Sequence, residues 1–438
     1  MKQAFFSFIL SLFLLSWSQV RAAKEVFAHV IVGNVNAFAV ADWEGDIDLA
    51  KASLIDGFVL NIAAKDTNNG PSLDAAFQAA NNKQFKLFFS FDYLAEGPWP
   101  KEQVIQLLQK FGNDTAYFKQ GTQPFASTFE GPANSADWTD IKAQTGAFFV
   151  PDWSSISAAD AVATGVVDGL FSFNAWPDGP TNISTAPDQT FRDALGTGKV
   201  YIMPVAPWFF TNLPGFNKNW LWRGDELWDD RWQQVLDFKP DFVEILTWND
   251  YGESHYIGPL NDKEFGLFAS ANAPFNYADK MAHDGWRKFL PFYIDAFKSG
   301  TQPQVTEESA VAYYRPNPAL ACQNGGTTGN NKDFGQTELP PDQLVEDKVF
   351  YSALLNSPAE VSVSIGGNVQ NGTFSKTPAG GGQAGVYQGS VGFKNSTGEV
   401  VVTVTRGGQT VAEVKGGPGI STQCASGIEN WNAFCGSS

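Results

Sequence analysis

Gly57-Phe58-Val59-Leu60-Asn61-Ile62-Ala63 and Lys86-Leu87-Phe88-Phe89-Ser90-Phe91-Asp92-Tyr93 are short runs with almost no polar alternation. A strand wetted on one face alternates apolar and polar residues, so runs this continuous predict parallel strands covered on both faces. Six further runs rich in Val, Ile and Phe share the pattern, at 26–33, 124–131, 146–153, 169–176, 200–208 and 242–248. Stretches of helical character lie between them, for example 46–54, 72–83, 101–111, 188–195 and 225–238, several opening on an Asp or Ser able to cap a helix. A further helix over 276–298 would close the eighth unit. Eight strand-helix cycles predict an α/β chain folded as a (β/α)₈ TIM barrel over 23–302. A doubly wound open sheet is the alternative, and no G-x-G-x-x-G follows the first strand to support it.

Composition changes after 302. The stretch 321–342 is rich in Gly, Asn, Thr and Pro and reads as a linker. Period-two runs follow at 348–355, 360–365, 386–393, 399–405 and 410–415, with 310–314 as a further strand. Their spacing predicts a smaller C-terminal β-sandwich over 303–438.

The other end begins Met1-Lys2-Gln3, continues as an apolar run from Ala4 to Trp17, and reaches Val20-Arg21-Ala22. A basic head, a short apolar stretch and a V-x-A pattern predict a secretory signal over 1–22 and an extracellular mature chain. The sequons at Asn113, Asn182, Asn371 and Asn395 agree with export. No stretch approaches the roughly 20 apolar residues of a membrane span.

The formal charge of −17 repels phosphate backbones and anionic membrane surfaces, so nucleic acid and membrane are not expected partners. A neutral substrate and a monomer are. The three histidines are scattered without zinc-site spacing, so no metal and no cofactor are expected. Three cysteines allow one disulfide. Cys424 and Cys435 flank one short loop and are the favoured pair, with Cys322 still open as a partner.

A barrel carries its reactive groups at the carboxyl ends of its strands. There this chain has Asp66, Asp92, Glu130, Asp152, Asp178, and Asp250 with Glu253. Asp152 and Asp178 stand beside Pro and Gly and read as turn formers. Glycoside hydrolysis needs one protonated carboxyl for the leaving oxygen and one carboxylate to ready water or attack the sugar. Fourteen tryptophans, several at the same strand ends, add faces on which sugars stack, so a glycan is the expected substrate.

Trp248-Asn249-Asp250-Tyr251-Gly252-Glu253-Ser254-His255-Tyr256-Ile257-Gly258 closely resembles glycoside hydrolase family 71, the fungal α-1,3-glucanases or mutanases. The likeness recurs in order at Ala28-His29-Val30-Ile31-Val32-Gly33-Asn34, Phe89-Ser90-Phe91-Asp92, Ser127-Thr128-Phe129-Glu130-Gly131, Asn174-Ala175-Trp176-Pro177 and Pro207-Trp208-Phe209. It implies an extracellular, endo-acting, inverting hydrolase of α-1,3-glucan. The catalytic pair is then Asp250 and Glu253, with Glu253 as acid and Asp250 as base. Asp66 and Asp92 match acidic positions of the family and are expected at the substrate.

Glu130, Trp176, Trp208, Trp248, Tyr251 and His255 complete the expected binding set. Each has a plainer reading. The acids would serve as helix caps, the aromatics as packing, and His255 as a packed loop residue. Glu130 is the rival catalytic acid, and His29 is expected inside the barrel. A carbohydrate-binding protein without activity, or a hydrolase of β-glucan or chitin, is the alternative function.

Overall fold

The computed structural model describes residues 24–378 and 383–438, so the expected signal at 1–22 lies outside the described residues. All eight apolar runs form strand. They are β1 (Glu25–Ile31), β2 (Gly57–Ala63), β3 (Lys86–Asp92), β4 (Gln123–Phe129), β5 (Phe148–Phe149), β6 (Gly169–Phe171), β7 (Val200–Val205) and, after an inserted hairpin, β10 (Phe242–Ile245). Parallel pairing runs β4-β3-β2-β1-β10-β7-β6, and β5 joins β4. Asp152 then bridges Phe129 on one side and Phe171 on the other. The result is an α/β fold around a curled parallel sheet.

Burial on both faces explains the sequence pattern. Inside the curl, Phe27, Phe88, Phe118, Phe125 and Phe242 pack ring against ring. Outside lie the helices α1 (Val40–Ala52), α2 (Asn69–Lys83), α3 (Lys101–Phe111), α4 (Asp137–Thr145), α5 (Ala158–Ala163), α6 (Ala186–Leu195), α7 (Leu227–Phe238) and α8 (Leu290–Ser299). The helix expected over 276–298 is confined to Leu290–Ser299, with turns and a 3₁₀ segment before it. Tyr277 explains part of this, since its hydroxyl donates to Gly252 O at 2.6 Å and ties this stretch to the loop after β10.

The hairpin went unforeseen. β8 (Phe210–Leu213) and β9 (Lys218–Leu221) are antiparallel and rise from the end of β7. A parallel partner for β9 comes from far along the chain, β11 being Ser309–Tyr314 and β12 Thr328–Gly329, and it is β12 that pairs with Trp220 and Leu221. The polar stretch 321–342 is therefore not a free linker. Asn330 accepts from Gly179 N and donates to Thr337 O, while its own N–H reaches Leu221 O, so its amide does the joining that its composition had suggested it would avoid.

The C-terminal residues form two antiparallel sheets, of five and four strands. One is ordered Phe374–Lys376, Gly385–Gly392, Lys348–Leu355, Ser309–Tyr314, Phe434–Ser437, and the other Asn368–Asn371, Glu360–Ile365, Val400–Arg406, Gln409–Val414. Alternating burial along Glu360–Ile365 and its neighbours puts Val361, Val363, Val402 and Val404 into one apolar cluster with Val349 and Tyr351 of the other sheet.

The disulfide joins Cys322 to Cys424, not Cys424 to Cys435. Cys435 pairs through its backbone with Tyr313 inside a strand, which turns its thiol into the core against Gly285, where it stays free.

Candidate active site

The loop after β10 folds back on itself. Thr247 N reaches His255 O at 2.8 Å, and Ile257 N reaches Thr247 O at 2.9 Å. Asn249 stitches the loop to the first strand through Ile31 N and O, and to Glu264 at 2.8 Å. Within the loop, Asp250 N donates to the Thr247 hydroxyl at 2.9 Å, and Asp250 Oδ1 accepts from Glu253 N at 3.0 Å. Both carboxylates are thereby held on one side of the turn.

His255 Nε2 lies 2.9 Å from Glu253 Oε2 and 3.9 Å from Asp250 Oδ2. From the hairpin, Lys218 Nζ reaches Glu253 Oε1 at 2.6 Å. Lys218 was not foreseen; the signal available was the period-two array Lys218, Trp220, Trp222, which marks one face of a strand.

These contacts set the two acids apart. Burial works against an ionised Glu253, yet the charge of Lys218 and the bond to His255 outweigh it and hold the carboxyl well below the ordinary range. At Asp250, burial and then the charge of Glu253 prevail over His255 and Lys218, and the carboxyl is raised. Two neighbouring acids pushed in opposite directions are what acid-base chemistry requires. The environments favour the proton on Asp250 and the charge on Glu253, the reverse of the roles the resemblance implied.

One oxygen of each acid and a ring nitrogen of His255 lie within 4.8 Å of one another, a set that could hold a cation. Lys218 already supplies positive charge there. Among the described residues the other such group, Cys322, Cys424 and Glu429, has its sulfurs tied in the disulfide.

Asp92 lies near the same pair: its charge acts on Lys218 together with those of Glu253 and Asp250. Its Oδ1 accepts from Leu94 N and Ala95 N, which fixes the carboxylate at the end of β3. Asp66 is half-buried and accepts from Asn68 N at 2.8 Å, which fixes a turn just ahead of α2 and is not the helix cap of the plainer reading. Glu130 is buried with its backbone at φ 55°, and both its oxygens are taken by Ser155, through the backbone N–H at 2.8 Å and the hydroxyl. Inside the curl, His29 meets Glu244 at 2.7 Å, and burial raises the carboxyls of Glu244 and Asp152.

The expected sugar platforms need correcting. Trp208, Trp248 and Tyr251 are only 2, 1 and 1 % exposed. Trp208 Nε1 donates to Trp431 O, Tyr251 Oη donates to Pro259 O, and Trp248 packs on Phe58, so these rings build the scaffold. His255 is as buried, and meets the acids instead of open solvent. Trp176 stacks on Trp222 and lies 5.2 Å from the His255 ring, backing the site from behind.

The sequence model of glycosyl hydrolase family 71 matches residues 22–438. The chain belongs to that family. This glycosyl hydrolase is 33 % identical to a glucan endo-1,3-alpha-glucosidase of Schizosaccharomyces pombe, over 98 % of each chain. It is 33 % identical to a mutanase of Penicillium rubens, over 94 % of this chain and 88 % of that one. An ascus wall endo-1,3-alpha-glucanase of Schizosaccharomyces pombe is 28 % identical over 66 % of this chain and 70 % of its own. Among the described residues of the family 71 enzyme, no helix is long and apolar enough to cross a membrane.

Proposed function

We propose that this family 71 hydrolase is exported, works as a monomer, and cuts α-1,3-glucosidic bonds within α-1,3-glucan. The reading rests on one observation above others: Asp250 and Glu253 share one loop at the end of a sheet strand, in environments that drive their protonation apart. The names of the relatives supply the linkage, since they act on 1,3-α-glucan or are called mutanases. In the domain reading that goes with it, a closed (β/α)₈ barrel over 23–302 carries the chemistry and a β-sandwich over 303–438 braces it.

Asp250 gives its proton to the departing glycosidic oxygen, and Glu253 draws a proton from the attacking water. Asp92 and Asp66 hold hydroxyls of the glucosyl units. His255, with Nε2 2.9 Å from Glu253 and 3.9 Å from Asp250, orients the Glu253 carboxylate, and solvent returns the proton for the next cycle. Direct displacement by water inverts the anomeric centre. That one oxygen of each acid lies within 4.8 Å of the other favours a second reading, because an inverting pair stands roughly 6.5–9.5 Å apart and a retaining pair near 5 Å. In that case Glu253 attacks the sugar itself.

The test is incubation of the purified chain with insoluble α-1,3-glucan, β-1,3-glucan and chitin. Soluble oligosaccharides released from the α-linked polymer alone are expected. NMR of the first product separates inversion from retention. Binding to the polymer without release would overturn the hydrolase reading in favour of a carbohydrate-binding role.

A further inference from the structure

Phe334 is 65 % exposed, although the segment that carries it is among the most tightly stitched in the protein. β12 pairs with β9, Gly329 and Leu339 exchange backbone hydrogen bonds, and Asn331 caps the short 3₁₀ turn Lys332–Phe334. Gln336 Oε1 accepts from both Asn331 N and Trp222 Nε1. What sets this ring apart from other exposed apolar residues is its place at the edge of an aromatic cluster with Trp220 and Trp222, where it leaves a face open for a ligand to stack on.

The hairpin connects that ring to the acids. Lys218, Trp220 and Trp222 follow one another on one face of an extended stretch, and Lys218 ends on Glu253. At strand rise, Lys218 to Trp222 covers roughly 13 Å. The far end of this face meets Phe334, whose ring centre lies 5.9 Å from Trp222 and 6.4 Å from Trp220. From the other direction, His255 stacks on Phe209 with ring centres 5.6 Å apart, and Phe209 meets Trp222 at a tilt, with centres 4.3 Å apart.

We propose that Phe334 is a stacking platform for a glucosyl unit several positions from the cleaved bond, so that the arm from the C-terminal part forms one end of the glucan cleft. The inference deepens the glucanase reading and rests on it. An apolar sugar face lies on the exposed ring while the rigid arm fixes the ring's distance from Asp250 and Glu253. Polymers reach the platform; short oligomers do not.

The experiment compares wild type, Phe334→Ala and Phe334→Trp on α-1,3-glucan polymer and on the shortest α-1,3-linked oligosaccharide that wild type cleaves. Phe334→Ala is expected to raise KM on the polymer about three- to tenfold, as loss of one stacking contact implies, with kcat/KM on the oligosaccharide unchanged. Phe334→Trp should restore the polymer value. An unchanged polymer KM in Phe334→Ala, or equal losses on both substrates, overturns the platform. If wild type releases nothing from α-1,3-glucan, the substrate reading falls by itself, and the same variants on β-1,3-glucan and chitin oligomers and polymers decide the platform by the same contrast.

Discussion

Lys218 reaches across from the β8–β9 hairpin to Glu253, its Nζ 2.6 Å from Oε1, so that a residue on an insertion decides the protonation of an acid on the core loop. Lys218 also lowers the carboxyl of Asp250. Replacing it by Met removes the charge that holds Glu253 down and limits the rise at Asp250, so both limbs of the pH profile of kcat/KM should move to higher pH. Limbs that stay where they are would show that the ion pair has no part in tuning the reaction.

Asp250→Asn and Glu253→Gln each remove one end of the proposed proton transfer. Each should lower kcat by roughly 10²–10⁴-fold. Asp250→Asn preserves shape and the loop's own bonds, so its thermal unfolding should change little, whereas Glu253→Gln also takes the charge from the partner of Lys218 and should lower the melting temperature while leaving the chain folded. Turnover retained in both variants would remove the assignment of the pair.

Glu264 controls the loop from beneath, bonded to Asn249 at 2.8 Å and to the Tyr251 hydroxyl at 3.3 Å. Burial pushes its carboxyl up to about 8, against the bond from Asn249 and with Asp46 adding to the rise. Between its ordinary value and 8 the folded chain holds a proton that the unfolded chain releases, so this group's contribution to stability falls as pH rises through that window. Glu264→Gln cannot titrate. Denaturant unfolding at pH 5 and pH 8 should show a smaller loss on going to the higher pH in Glu264→Gln than in wild type; equal losses would refute the assignment.

The Cys322–Cys424 bridge spans 102 residues of sequence. Closing a loop of that length restricts the unfolded chain, by up to about 4.7 kcal/mol in the chain-entropy model and commonly about 2–4 kcal/mol in practice. Cys322→Ser should lower the melting temperature by several degrees, and peptide mapping of the native protein should find Cys322 linked to Cys424. Cys435 should resist alkylation until the chain unfolds. A Cys424–Cys435 peptide would overturn the pairing.

The eight strands were legible because burial on both faces leaves a mark that needs no knowledge of partners: 57–63 and 86–92 admit few polar residues wherever they pair. The Asp250–Glu253 pair was legible as a motif. Its chemistry was not, since the opposed protonation depends on Lys218, thirty-odd residues earlier on a hairpin whose alternation is short and masked by tryptophans. The aromatic platforms misled for a related reason. Trp208 and Trp248 stand at strand ends as a sugar platform would, but whether a ring faces the cleft or the packing behind it depends on neighbours such as Trp431 and Phe58. At 321–342 composition gave the loop correctly but not its partner, because the pairing of Thr328–Gly329 with Trp220–Leu221 leaves no local mark.

The pairing of Thr328–Gly329 with Trp220–Leu221 has a consequence for how this molecule can be divided. A fragment ending near residue 302 would retain Asp66, Asp92, Glu130, Asp250 and Glu253, yet it would lose the edge that steadies the strand holding Lys218 and would leave Trp220 and Trp222 uncovered. Engineering faces the same constraint: exchanging the C-terminal part as a module would remove the finger that completes the wall of the N-terminal part.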